Sequence, residues 1–135
     1  MGSYSFSFEK LDVWNLARTF LKSVYPIIDS FPQKEKYNLT DQIRRASTSI
    51  VLNLAEMTSR SSLKEQAHFS EIAFGSSIEV YCSFSLAFDF RYVNDEQLQS
   101  MKDQISEITN KINALKKSQL KRLQQSTTNN PTKNN

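Results

Sequence analysis

Glycine and proline are scarce in this chain, with two glycines and three prolines among 135 residues. A sheet-and-turn architecture needs many tight reversals, so the scarcity argues against one and favours long helices. Cysteine is nearly absent too. The single Cys82 cannot form an internal disulfide, and no apolar run of signal-peptide type precedes the first amphipathic segment, which points to a cytoplasmic chain. No window approaches the roughly 18 consecutive apolar residues that span a bilayer, so no membrane partner is expected. His68 is the only histidine. With no second histidine, no cysteine pair, no HExxH-like spacing and no glycine-rich loop ahead of a helix, neither a metal site nor a cofactor is expected. Asn38-Leu39-Thr40 matches a glycosylation acceptor, but in a cytoplasmic chain it reads as a helix entry.

What is present suits one packed domain: 39% of residues are hydrophobic and 11% aromatic. The net charge of +3 is mild but uneven. From Lys102 onward seven bases face only Asp103 and Glu107, a local balance of +5 that leaves −2 for the rest. Basicity therefore belongs to a C-terminal arm.

The pattern predicts an all-α chain of four helices. Residues 1–7 form an N-terminal extension, 8–123 the helical domain and 124–135 a polar tail with nothing to bury, expected to be disordered. The first helix is expected from Phe8 to Ser30, with Trp14, Ala17, Leu21, Val24, Tyr25 and Ile28 on one face and a kink or fraying near Pro26. The second, capped by Asn38 or Thr40, should reach about Thr58. Ser62 with Glu65 opens a third to about Phe90, and Asn94 with Gln97 opens the fourth, both in capping-box spacing. The fourth carries Leu98, Met101, Ile105, Ile108, Ile112 and Leu115 at alternating three- and four-residue steps, the seam of a bundle.

The third helix shows two apolar faces. Phe69, Ile72, Ser76, Val80, Ser83 and Ala87 make one, and Phe74, Tyr81 and Phe88, with Phe84 nearby, make another. One core is not expected to bury both, so the second face is assigned to another subunit of a homo-oligomer.

On the second helix Gln42, Arg45, Ser49, Asn53 and Glu56 recur at helical spacing within an arc of roughly 80°, beside the apolar row Ile43, Ala46, Ile50, Leu54 and Met57. Short polar groups next to an apolar row indicate a hydrogen-bonded network between helices, with Ser76 and Glu79 as partners on the third. Glu56 or Glu79 is expected to accept from Arg45 or from helix hydroxyls. A di-metal reading of Glu56, Glu71 and Glu79 is disfavoured, because His68 precedes Glu71 in reversed Glu-x-x-His order and no second histidine exists. His68 and Cys82 lie about 21 Å apart along one helix, so they form no dyad. No nucleophile, base and orienter converge, and no catalytic residue is assigned.

Lys111, Lys116, Lys117, Lys121 and Arg122 admit two readings. They either solvate the last helix and favour its C-terminus, or, repeated around an oligomer, make a multivalent cationic surface for RNA or DNA phosphates. Lysines gathered on one rim would favour nucleic acid, and dispersed lysines paired with acids a scaffold for a protein partner.

Phe31-Pro32 with Glu35, Gln42-Ile43-Arg44-Arg45-Ala46, Ser49-Ile50, Asn53-Leu54-Ala55-Glu56 and Gly75-Ser76 with Glu79 resemble the four-helix bundle proteins encoded in 23S ribosomal RNA intervening sequences. The opening Phe8 to Trp14 is similar as well, and the resemblance extends from about Phe8 to Leu120. It implies an antiparallel up-and-down bundle assembled as a ring, a pentamer, without established enzymatic activity. The distantly similar accessory proteins of diversity-generating retroelements bind a reverse transcriptase and nucleic acid, which extends the basic-surface reading by analogy. The chain departs from the pattern at Met57, where the family has glycine, at Ser77-Ile78 and at Pro26. With Met57 there, the second helix is expected to run one turn further.

Overall fold

The structure, a computed structural model, describes residues 4–128. A 3₁₀ turn at Ser7–Lys10 leads into α1 (Asp12–Asp29), and a second 3₁₀ turn at Gln33–Glu35 precedes α2 (Leu39–Ser59). Short connections then give α3 (Leu63–Asp89) and α4 (Asp95–Thr128). The helices pack in chain order as an up-and-down bundle, α1 on α2, α2 on α3, α3 on α4, and α4 back on α1 more sparsely.

Local chemistry sets the helix starts. Ser62 accepts the Glu65 amide at 3.1 Å, and Asn94 and Gln97 bond each other's backbone amides reciprocally at 2.8 and 2.9 Å. The α3 C-terminus closes without glycine: Arg91 takes φ 63°, its amide reaches the Phe88 carbonyl at 2.9 Å, and the Tyr92 amide reaches that of Ala87 at 2.8 Å. This is the left-handed cap that satisfies the last carbonyls of a helix.

The helix bounds differ from expectation at both ends of the chain. Residues 8–11 form a 3₁₀ turn and an extended residue, and the α-helix begins only at Asp12. α1 continues through Pro26 to Asp29, because Pro26 is exposed and water can reach the carbonyl it leaves unpaired. α4 runs on to Thr128, so residues 124–128 are helical rather than part of a disordered tail. Leu123 is half-buried and its carbonyl accepts the Thr127 hydroxyl at 3.0 Å, which extends the last turns. The remainder of the expected tail lies outside the described residues.

Phe20, Ile43, Ile50, Leu54, Phe84, Ile108 and Ile112 fill the interior. Burying each such side chain contributes about 1.5–3 kcal/mol. Against α2 and α4, α3 presents Ala67, Ser70, Ala73, Ser77, Val80, Ser83, Phe84 and Ala87, so Val80, Ser83 and Ala87 of the expected row face inward, while the earlier part of the helix is rotated from the expected Phe69, Ile72 and Ser76. Small residues mark the lines of closest approach to its two neighbours, and large rings fit only beside those lines.

Candidate functional site

The polar stripe of α2 meets α3 at a hydroxyl pair. Ser49 Oγ and Ser76 Oγ lie 2.8 Å apart, and Asn53 Nδ2 donates to both the carbonyl and the hydroxyl of Ser49 at 2.9 Å. An open cleft of about 240 Å³ along this seam is lined by Gln42, Arg45, Ala46, Ser49, Ser76 and Glu79. Five of the seven residues assigned to the network thus line one feature, with Asn53 bonded into it. Glu56 stands apart.

The expected carboxylate to Arg45 contact is not formed. Glu56 pairs with Arg60 at 2.7 Å, one turn on at the end of α2, and among the described residues Arg45 has an ion pair only with Asp41, at 3.6 Å. Both side chains are long enough to find local i,i+4 partners, so neither crosses the seam. Gln42 points the other way, donating to Asn38 at 3.1 Å, which donates to Glu35 at 3.3 Å. The Tyr92 hydroxyl closes the chain on Glu35 at 2.9 Å. Burial raises the Tyr92 pKa above 10.0, and the adjacent Glu35 carboxylate adds to the rise by hydrogen bonding and charge. A run of polar groups therefore links the seam to the loop end of the bundle, where Tyr92 stacks on Phe90 and packs at a tilt against Phe31.

The seam can orient and bind. Its hydroxyls bond each other and an amide rather than a base, and no pairing of nucleophile with base is formed. His68 and Cys82 are both exposed on α3. Among the described residues no group of three or more His, Cys, Asp or Glu side chains could hold a metal ion, and Glu56, Glu71 and Glu79 do not converge.

The basic residues of α4 divide into two sets. Lys111 pairs with Asp12 of α1 at 2.9 Å, a bond that raises its pKa above 10.5, and Lys116 sits 5.1 Å from the centre of the Phe74 ring. Lys117, Lys121 and Arg122 are exposed and form no ion pair among the described residues. At 100° per residue Lys117 and Lys121 share one side of the helix, about 40° apart, and Arg122 lies about 100° further round.

The aromatic row assigned to a partner subunit is in large part internal. Phe84 is wholly buried, and Phe74, Tyr81 and Phe88 are half-buried against the core, with Tyr81 beside Asp95, Leu98 and Lys102 of α4. The reason is the rotation of α3: once Ala and Ser occupy its inward line, the rings fall into the α3–α4 seam. Tyr25, expected on the core face of α1, is instead exposed at 41%.

Further polar contacts have no counterpart in the sequence pattern. Arg60 joins α2 to α3, bonding Glu56 and covering the Phe69 ring at 4.8 Å, and the i,i+4 spacing from Glu56 was a signal for it. The Tyr92–Glu35 bond spans 57 positions and left no local signal. Ser70 donates to Gln119 at 2.9 Å in the buried α3–α4 interface, where an amide among lysines looked like solvated surface.

No curated protein matches the chain in sequence. Among solved structures it is similar to a Bacteroides thetaiotaomicron protein of unknown function from the S23 ribosomal protein family, with a TM-score of 0.72 and 22% identity. That similarity covers 78% of this chain and 95% of the other, and at this identity it shows the fold. The profile of the 23S rRNA-intervening sequence protein family matches residues 9–114, from the first 3₁₀ turn into α4. The chain belongs to the 23S rRNA-intervening sequence protein family.

Proposed function

We propose that this protein is a non-catalytic, homo-oligomeric bundle, a ring of five copies as the resemblance implies, that binds RNA or DNA, or an enzyme acting on them, through a repeated cationic arm. The observation that carries this reading is the last stretch of α4. Lys117, Lys121 and Arg122 are exposed without an ion pair among the described residues, and no acidic residue follows Glu107 in the sequence. Lys111 and Lys116 are engaged with Asp12 and Phe74, so they steady the arm and leave the outer three to meet phosphates. A few phosphate contacts per copy bind weakly, but several copies on one strand multiply that affinity. Recognition is then led by charge and spacing, since no helix of the arm is presented as a base-reading motif.

Filter binding across a salt series tests this. Neutralising Lys117, Lys121 and Arg122 together to glutamine should reduce the slope of log affinity against log salt by about 2 per copy engaged, at roughly 0.7–0.9 for each phosphate contact. A slope already near zero in the unaltered protein would refute the reading. The Lys111–Asp12 pair favours a second reading, a scaffold for a protein partner in which the arm is structural. That scaffold would assemble normally and retain no nucleic acid at low salt.

A further inference from the structure

Gly75 sits in the interior of α3 on its solvent side, and a methyl group added there would meet nothing within 4 Å. Glycine weakens a helix, and here no turn, positive φ or close neighbour in the subunit calls for it. Around it the outward surface of α3 carries Ile72, Ile78 and Leu86, which are 36%, 50% and 44% exposed. Glu71 and Glu79 lie on the same outward arc and form no ion pair among the described residues.

A second surface of the same chain has the opposite character. Between α1 and α2 an open cleft of about 410 Å³ is lined by Tyr25, Arg44, Arg45, Thr48 and Leu52, among others. Leu52 is 60% exposed; Arg44 is bound to Asp41 at 2.6 Å, and the Arg45 side chain is 78% exposed with only a 3.6 Å contact to the same carboxylate.

We infer that the outer face of α3 in one copy docks into the α1–α2 cleft of the next, with Gly75 at the point of closest approach. This rests on the homo-oligomeric reading above and assigns its interface. Apolar groups meet apolar groups, and the acidic α3 face meets the exposed Arg45 of α2. Two α3 faces packed on each other would instead bring Glu71 and Glu79 against like charges. The contact is heterologous, using different surfaces of each copy. Since α2 and α3 are neighbouring helices, the two surfaces lie on adjoining sides, so successive copies turn and can close.

Cys82, exposed on the α3 face, supplies the test. The unaltered protein, Leu52→Cys, and Leu52→Cys with Cys82→Ser are treated with a short bismaleimide after sedimentation. The unaltered protein should give no covalent dimer. Leu52→Cys should give a ladder through trimers and beyond, since each copy then offers one thiol on each surface, and Cys82→Ser should abolish the ladder. A covalent dimer of the unaltered protein would overturn the assignment by placing α3 on α3. A product surviving Cys82→Ser would overturn it by placing cleft on cleft, and so would an assembled but unlinked Leu52→Cys. Sedimentation of the unaltered protein as a monomer at tens of micromolar would instead defeat the homo-oligomeric reading beneath it.

Discussion

Gly75→Ala separates the stability of the subunit from the stability of the assembly, because the two should move in opposite directions. Within a helix interior alanine is better than glycine by about 0.8–1.0 kcal/mol. The new methyl meets nothing within 4 Å, so no steric cost offsets that gain. In a background that prevents association, Leu52→Arg, thermal unfolding followed by circular dichroism should therefore shift upward by roughly 2–5 °C for a chain of this size. In the assembling protein the same methyl intrudes on a close contact between copies, and an extra methylene in a packed interface costs about 1–3 kcal/mol. The dissociation constant measured by sedimentation velocity should rise roughly 5- to 150-fold. If Gly75→Ala destabilises the isolated subunit, glycine has a role inside the fold and the reasoning fails. If it stabilises the subunit and leaves association unchanged, the α3 face is not the interface.

Arg91→Gly should stabilise the fold by about 1 kcal/mol, read as a higher urea midpoint, since Arg91 holds φ 63° where an L side chain is strained. Ser70→Ala should cost about 1–3 kcal/mol, because Gln119, at 2% exposure, loses the donor to its carbonyl oxygen. Adding Gln119→Leu should recover most of that loss in the same urea titration. Tyr92 and Lys111 both have folded-state pKa values raised above their ordinary 10.0 and 10.5, so each contribution is complete below those values and is lost as pH climbs through the raised ones. Melting temperature measured from pH 9 to 12 should fall less steeply in Tyr92→Phe than in the unaltered protein, with Lys111 supplying the slope that remains. An identical fall in the two proteins would show that the Tyr92–Glu35 bond carries no such linkage.

The starts of α3 and α4 were legible in the sequence because a cap is a four-residue event: Ser62 with Glu65 and Asn94 with Gln97 carry their partners within reach. The core-facing rows of α2 and α4 were legible because bulky aliphatics repeat there. α3 hid its phase because its inward line is built of alanine and serine, while its rings sit beside that line. Ser49, Asn53 and Ser76 were found because short polar side chains cannot reach far from the seam they face. Arg45 and Glu56 were given the wrong partners for the converse reason, since a long side chain chooses among several neighbours and spacing alone does not name one.

Gly75 shows why a residue can identify a chain before its purpose is visible. In the sequence, Gly75-Ser76 belonged to the pattern that carried the family resemblance, and Ser76 then found a partner inside the subunit at 2.8 Å. Its neighbour found only open space. A glycine kept for a turn or for tight packing shows the obstruction or the backbone angle that requires it, and Gly75 shows neither. The inferred contact with a second copy would supply that requirement, and the same face carries exposed isoleucines, a leucine and acids that form no ion pair among the described residues. The polar seam and the outer face are thus adjacent sides of one helix: the first bonds α2 to α3, and the second, one residue away, is the face we infer to meet a second copy.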